Sequence, residues 1–320
     1  MIDLIKMSKT GLTDNDIFSI ADGNNLQTNS KAGVFFFDNQ NQKFIQGFYL
    51  RIETSNAKRL KLECSLHKFF NYIRTGKQAN FDLFSITNAR QSLELLKEKT
   101  GIEPENLNVN YYEIGLNLYM GKDCRTYIDQ MQTIGVLDNK RRFFVNPRYK
   151  GERVKTTVFH RHIKKVYKVY DKVHEMKDKQ RDDIPEATPN ILRIETTQRR
   201  VEKLTVADLM NPKTIKKLTD QFLKDWRTVQ FDPVIEAKKG THQRKISLCQ
   251  KIILYGKEEV LKMAKEDFAA GKLTEKRFRN MREFIGNEWD IFKNTIQVEK
   301  APEEMEFREK INEAIKIVRD

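Results

Sequence analysis

The sequence predicts an α+β fold, in which a largely antiparallel sheet with helices is followed by a helical C-terminal region. Two observations predict it. Before Val201, short segments rich in Phe, Ile and Leu alternate with helix-like segments and are separated by Asn, Gly and Gln clusters, which is typical of strands joined by turns. After Val201, Leu, Ile and Met recur every three or four residues, which is the period of a helix. We therefore expect one domain at residues 1–202 and a helical region at residues 203–320.

The same patterns place single elements. Ser85 or Thr87 can cap a helix that ends at Gly101, because hydroxyl side chains cap helix N-termini and glycine commonly follows helix C-termini. A loop is expected at Asp232–Gly240. The other expected elements are strands at Ile2–Met7, Gly33–Phe37, Gly47–Glu53, Leu60–Cys64, Leu107–Met120, Arg142–Val145, Thr156–His160, Ile163–Asp171 and Ile191–Thr197, and helices at Cys124–Thr133, Leu204–Arg227, Lys245–Ala270, Thr274–Phe292 and Glu303–Val318.

The composition favours a polyanionic partner. The 320 residues include 59 Lys plus Arg against 45 Asp plus Glu, a formal net charge of +14. Binding to nucleic acid releases condensed counterions, so a basic excess favours it, although charge says nothing about fold. The three cysteines are far apart and form no CxxC pair, which argues against a disulfide framework or a zinc knuckle. No signal peptide or membrane span is recognisable, so we expect a soluble cytoplasmic protein with no membrane partner.

Three of the expected strands carry polar residues on one face. Successive side chains of a strand point to opposite faces, so residues two apart lie on the same face. In each of the three strands the residues of one parity are mostly apolar and are assigned to the core. The opposite faces carry the side chains of Glu113, Tyr170, Lys172, Arg193 and Glu195.

This combination of side chains suits phosphodiester chemistry. Carboxylates such as Glu113 and Glu195 are ligands for Mg²⁺ or Mn²⁺, which polarise a phosphodiester oxygen. The hydroxyl of Tyr170 can act as a nucleophile, and a neighbouring lysine can lower its pKa. We expect the phenol and both carboxylates to share one surface, away from the apolar interior. The same residues would also suit an ordinary polar sheet face.

Several short motifs occur in a consistent order between Met1 and Leu209, although each of them is weak alone. The chain opens with MIDLIKM, and later stretches read SLHK, NYYEI, VYDKVHE and LRIE, at residues 65–68, 110–114, 169–175 and 192–195. At these residues the chain resembles the gene II family of filamentous-phage replication initiators and the related rolling-circle plasmid initiators. It departs from the family pattern in having Glu113 for the usual aspartate and His67 for the usual proline.

The resemblance implies an endonuclease that nicks and reseals a phage or plasmid replication origin. Tyr170 would be the nucleophile and would form a 5′ phosphotyrosine, leaving a free 3′ hydroxyl as primer. Lys172 and Arg193 would steady the phosphate. The expected partners are the origin DNA and host helicase and polymerase.

Glu113 and Glu195 are the expected ligands of a Mg²⁺ or Mn²⁺ cofactor. Glu175, five residues after Tyr170, is a candidate third ligand, with a general base or a solvated charge as alternatives. His160 and His162 are expected to lie at the surface or contact DNA rather than bind metal. Tyr167, the rival nucleophile, shares the parity of apolar neighbours and is assigned to the core.

Basic residues are interleaved with aromatic ones around these motifs, as in proteins that bind a single strand. In Thr274–Trp289, Lys276, Arg277, Arg279 and Arg282 suggest a groove-binding helix, but a packed surface helix is the better expectation. A DNA-binding initiator or repressor that cuts nothing is the main alternative function, and a plasmid-mobilising relaxase is another. The basic runs are Lys140–Arg142, Arg148–Lys155, Arg161–Lys168 and Gln198–Lys203.

Overall fold

A single twelve-stranded sheet organises the computed structural model, which describes residues 1–39, 47–55, 57–136, 140–146, 153–157, 163–179 and 189–319. The described strands pair antiparallel throughout, in the order β12-β7-β8-β9-β10-β11-β6-β1-β5-β4-β3-β2. The strands are β1 Ile2–Lys9, β2 Gln27–Lys31, β3 Val34–Asp38, β4 Phe48–Glu53, β5 Arg59–Ser65, β6 Asn108–Met120, β7 Met131–Ile134, β8 Arg141–Val145, β9 Val154–Thr157, β10 Lys165–Asp171, β11 Asn190–Arg199 and β12 Gln230–Phe231. A separate pair is formed by β13 Val234–Glu236 and β14 Gln297–Glu299.

The helices fall into a group between the strands and a group after β11. A π-helical turn at Phe284–Glu288 continues directly into α11. The α-helices are α1 Asp14–Gly23, α2 Leu66–Thr75, α3 Ile86–Thr100, α4 Cys124–Gln130, α5 Lys172–Asp178, α6 Val206–Met210, α7 Pro212–Trp226, α8 Gln243–Tyr255, α9 Lys257–Ala269, α10 Glu275–Glu283, α11 Trp289–Phe292 and α12 Pro302–Arg319. The predicted fold class is thus confirmed.

Three predicted helices differ from the observed ones. The helix expected at Cys124–Thr133 ends at Gln130, because Met131–Ile134 pairs with β8 as strand β7. The helix expected at Leu204–Arg227 is interrupted where Asn211 caps α7 and Pro212 begins it, since proline favours the first turn of a helix. The helix expected at Lys245–Ala270 is interrupted at Gly256, whose φ of 83° is not helical.

Two apolar clusters divide the helical region. The larger one lies on the sheet and takes in Trp226 of α7, whose ring packs against Phe143 and Tyr167, and Phe307 of α12. A smaller cluster is formed between α8 and α11 by Cys249, Ile252, Val260, Phe284, Ile285 and Trp289. Helices that precede and follow the smaller cluster in the chain, α7 and α12, therefore pack on the sheet and stabilise it. The domain boundary at residue 202 stays a prediction.

Within the part of the chain that the structure describes, no helix is long and apolar enough to cross a membrane. The cysteines Cys64, Cys124 and Cys249 are buried and carry free thiols.

Candidate active site

Three rows of side chains run across β10, β11 and β6 on one face of the sheet. The strand register places Tyr170 opposite Arg193, and Arg193 opposite Asn117. The second row reads Lys168, Glu195, Gly115 and the third Val166, Thr197, Glu113. Because these residues are two apart along each strand and directly opposite between strands, their side chains share one face.

Gly115 leaves room for the side chain of Arg193. A Cβ atom at Gly115 would lie 2.4 Å from Nη2 of Arg193, closer than any real contact. The guanidinium group therefore occupies the space above the glycine, where any larger residue would displace it. A glycine is needed at this position so that the side chain of Arg193 can lie close to the backbone, and not because the chain turns there.

Arg193 is 3% exposed, and each of its nitrogens donates a hydrogen bond. Nε donates to Oε1 of Glu195 over 3.1 Å, Nη1 to Oδ1 of Asn117 over 3.0 Å, and Nη2 to Oδ2 of Asp3 over 2.6 Å. Burial alone would lower the pKa of Arg193, but the carboxylates of Asp3 and Glu195 outweigh it, and the pKa is raised. The guanidinium is thus a fixed positive charge that orients Glu195.

Asp3 reaches Arg193 because β1 is irregular at this residue. The register of β1 on β6 shifts between Ile2 and Leu4, so Asp3 is the extra residue of a β-bulge. Bulges redirect side chains, and here the carboxylate of Asp3 also accepts a hydrogen bond from the Ser65 hydroxyl over 3.2 Å.

Tyr170 donates its hydroxyl proton to Oε1 of Glu195 over 2.7 Å. The ammonium groups of Lys168 and Lys172 lie 4.6 and 5.9 Å from the centre of its ring. Tyr170 was expected to be exposed at the surface, and this expectation is wrong, because Tyr170 is only 5% exposed. Polar side chains cover it, however, and it lines a pocket of about 230 Å³ with Glu113, Glu195 and Lys172.

The ionisation of Tyr170 is suppressed. Burial, and next the carboxylate of Glu195, raise the pKa of the phenol well above 10, although Arg193 opposes this. Burial would also raise the pKa of Glu195, but Lys168 and Arg193 outweigh it and the pKa is lowered. In the arrangement described, the phenol is therefore neutral and its partner is ionised.

Lys172 was expected on the same strand as Tyr170, but this expectation is wrong, because Lys172 is the first residue of α5. Strand β10 ends at Asp171, whose carboxylate caps α5 by accepting from the backbone N–H of His174. Nζ of Lys172, 1% exposed, donates to Oε2 of Glu175 over 2.8 Å. The other oxygen of Glu175 accepts from Lys179, so lysines occupy both oxygens of this predicted metal ligand.

Glu113 and Glu195 form a carboxylate pair at the pocket. Burial, and next the negative charge of Glu195, raise the pKa of Glu113. Glu113 accepts hydrogen bonds from Tyr111 and Thr197. Across the described ranges, no three His, Cys, Asp or Glu side chains are grouped so that they could hold a metal ion. Mg²⁺ is often bound through one or two carboxylates, with water and substrate phosphates completing its shell. This pair fits such an ion once Lys168 leaves Oε2 of Glu195, because Tyr170 and Arg193 occupy Oε1.

The structure brings all six predicted site residues to one region of the sheet face, with Arg193 behind the pocket wall. Sequence reasoning missed the roles of Asp3, Lys168 and Gly115. A signal for both can be found in the sequence, because Lys168 shares the parity of Tyr170 and Asp3 is the single acidic residue of the opening MIDLIKM. Tyr167 lies in the larger apolar cluster, as predicted, where its ring contacts Trp226.

His160 and His162 lie outside the described residues, as do parts of two basic runs, at residues 148–152 and 161–162. Comparison of the chain with protein-family models and with curated proteins finds no match. The likeness to the gene II family thus stays a resemblance of short motifs.

Replacing Gly115 with alanine should lower the free energy of unfolding by about 1–3 kcal/mol, because the added methyl group overpacks the space that Arg193 fills. Urea denaturation measures this change. Gly286→Ala is the matched control: no atom lies within 4 Å of the Cβ position there. A Gly115→Ala protein as stable as the control would show that Arg193 is not held over this glycine.

Acid should weaken the ion pairs of Glu175. Burial raises its pKa, but Lys172 and Lys179 outweigh it and hold the pKa at about 2, below the ordinary 4.5. A depressed pKa contributes stability that is complete above pH 4.5 and is lost as the pH falls through about 2, on the order of 3 kcal/mol in all. The difference in unfolding free energy between wild type and Glu175→Gln should therefore be largest at neutral pH and shrink below pH 4.5.

Chemical denaturation of both proteins across that pH range tests this prediction. Glu202→Gln is the control, because Glu202 is exposed and its carboxylate lies 3.8 Å from the ammonium group of Lys164. The unfolding free energy of this variant should differ little from that of wild type at any pH. A difference in unfolding free energy between wild type and Glu175→Gln that stays constant with pH would contradict the prediction.

Proposed function

We propose that this protein is a rolling-circle DNA replication initiator that nicks and reseals origin DNA through a 5′ phosphotyrosine on Tyr170. The observation that carries the proposal is the hydrogen bond from the Tyr170 hydroxyl to Glu195 at the wall of a pocket that Glu113 and Lys168 also line. A nucleophile, a proton acceptor, a second carboxylate and a cation thus meet where a phosphodiester could enter.

The phenol oxygen of Tyr170 attacks the phosphorus as its proton passes to Glu195. The bond between phosphorus and the 3′ oxygen breaks, and this oxygen takes a proton from solvent to become the 3′ hydroxyl. Resealing is the reverse: the 3′ hydroxyl attacks the phosphotyrosine, and the phenol regains its proton. No redox partner or nucleotide is consumed, because the covalent intermediate conserves the phosphodiester bond energy.

Lys168 provides a physical reason for activation by substrate. Its ammonium group lies 2.8 Å from Oε2 of Glu195 and holds that carboxylate in its ionised, weakly basic form. An entering phosphate would compete for Lys168. Loss of this ion pair would leave Oε2 of Glu195 open to a metal ion, while Oε1 keeps the hydrogen bond through which the proton of Tyr170 would pass.

Glu113 and Glu195 would hold a Mg²⁺ or Mn²⁺ ion. When bound, such an ion offsets the charge that develops on the phosphate oxygens. Glu175 would join them only by releasing a lysine. Arg193, which touches Asp3, Asn117 and Glu195, acts as a positioning residue for the carboxylate. Lys172 balances charge beside the phenol.

The proposed partners follow from the resemblance to the gene II family. The substrate would be phage or plasmid origin DNA, which a host helicase would unwind while a host polymerase extends the 3′ hydroxyl. The protein would act in the cytoplasm of a bacterial host.

The second candidate function is a DNA-binding initiator or repressor without nuclease activity. The pairing of charges favours it: Arg193 bonds three partners, Glu175 bonds two lysines, and the pKa of Tyr170 is raised rather than lowered. Such an arrangement would also suit a buried polar network that only stabilises the sheet. The two candidates differ in whether a covalent adduct forms.

Replacing Tyr170 with phenylalanine should abolish the covalent adduct, because only the phenol oxygen can attack the phosphorus. The assay incubates the protein with Mg²⁺ and a 3′-end-labelled single-stranded oligonucleotide of the origin, because the fragment that keeps the 3′ end stays on the tyrosine, and then separates the products by SDS gel electrophoresis. DNA binding without SDS should change little. Tyr167→Phe, which removes a buried hydroxyl bonded to Asp225, is the control and should keep the adduct. An adduct that survives in Tyr170→Phe would exclude this nucleophile, and its absence from wild type would favour the second candidate.

Removing metal with EDTA should stop nicking, and Glu113→Gln should raise the Mg²⁺ concentration for half-maximal nicking by at least roughly tenfold, because one of two carboxylate ligands becomes neutral. Titration of the nicking rate with MgCl₂ gives both values. Glu63→Gln, at a partly buried glutamate of β5 paired with Lys6, is the control. Equal Mg²⁺ dependence in both variants would rule out Glu113 as a ligand.

A further inference from the structure

Helix α10 is attached to the protein along one edge only. None of its nine residues is buried. Its main apolar contact is the ring of Phe278, which stacks on Phe268 of α9 with 4.8 Å between the ring centres. A helix held this way leaves most of its circumference free to enter a partner.

The exposed side of α10 is basic. Lys276, Arg277, Arg279 and Arg282 are exposed, and within the described residues none of them pairs with a carboxylate. Glu275 and Glu283 are confined to the two ends of the helix. The residues between them therefore present positive charge without internal compensation.

The helix has a rigid support and a suitable size. The π-helical turn that follows it buries Phe284 and Ile285 in the smaller apolar cluster, and α9 precedes it across a short turn. An α-helix is about 10–12 Å across with its side chains, and the major groove of DNA is about 12 Å wide. Arg279 and the exposed Asn280 are residue types that read base edges.

The pocket of Tyr170 does not itself supply the attraction that a polyanion needs. Its charged lining residues balance, with Lys68, Lys168, Lys172 and Lys179 facing Asp3, Glu113, Glu175 and Glu195. The net charge of +14 must therefore act from other surfaces.

We propose that α10 binds duplex DNA in the major groove, on a surface separate from the pocket of Tyr170. An anionic membrane fits less well, because an interfacial helix needs an apolar face to insert and α10 exposes mainly charged and amide side chains. The inference rests on the proposed function only for naming DNA as the polyanion. Duplex binding does not require that Tyr170 cut anything.

The test replaces Lys276, Arg277, Arg279 and Arg282 together with glutamine in the full chain. Glutamine keeps helix propensity and all four sites are exposed, so folding should be unaffected. Fluorescence anisotropy with a short random-sequence duplex, repeated over a salt series, should show affinity reduced at least roughly tenfold. The slope of log affinity against log salt should become shallower by roughly 3, as expected for the loss of three phosphate contacts, from Lys276, Arg277 and Arg282.

A matched control replaces four exposed lysines of α7, Lys213, Lys216, Lys217 and Lys224, with glutamine. Equal loss of duplex binding in both variants would overturn the proposal, because net charge alone would then explain it. Binding of wild type to anionic vesicles but not to duplex would also overturn it.

The covalent adduct on a single-stranded oligonucleotide separates this inference from the proposed function. The α10 variant should form the adduct as wild type does. A wild type that binds duplex through α10 without forming any adduct would refute the nicking chemistry and leave the α10 surface standing.

Discussion

The guanidinium group of Arg193 connects three strands of the sheet through Asp3 of β1, Asn117 of β6 and Glu195 of its own strand. A buried charge is costly unless its hydrogen bonds are met, and removal of one partner leaves the others uncompensated. Asn117 extends the connection, because its amide donates to the backbone carbonyls of Asn80 and Asp82. The position of Glu195, and through it the hydroxyl of Tyr170, depends on this one cation.

The charges around Tyr170 behave as one coupled system. Glu195 is ionised because Lys168 and Arg193 are near, and this ionised carboxylate in turn helps to keep the phenol neutral. A change at one member shifts the proton affinity of the others. A phosphate that displaced a lysine would thus alter the nucleophile without touching it.

Much of the fold could be predicted from sequence, because strand parity is a local property. The alternation of apolar and polar residues correctly placed Tyr167 in the core and put Glu113, Tyr170 and Glu195 on the opposite face. Parity cannot reveal how far that face is covered, so the low exposure of Tyr170 was not foreseen.

Errors arose where local geometry departs from a regular period. Lys172 seemed to continue a strand, but Asp171 caps a helix there. Asp3 was missed because a β-bulge changes which face a residue occupies, and a bulge depends on pairing with a distant strand. Helical periodicity likewise continued across Pro212 and Gly256, where the backbone breaks it.

The bond between Asp3 and Arg193 joins residues 190 positions apart in the chain. Strand β1 leaves the ribosome before its neighbour β6 and before β11, and both must follow before the guanidinium finds its partners. Closing so long a loop is entropically slow, and folding rates fall as contacts become less local. The carboxylates and the tyrosine therefore come together late in folding, and in a nascent chain that ends before β11, strand β6 is paired with β1 on one side only.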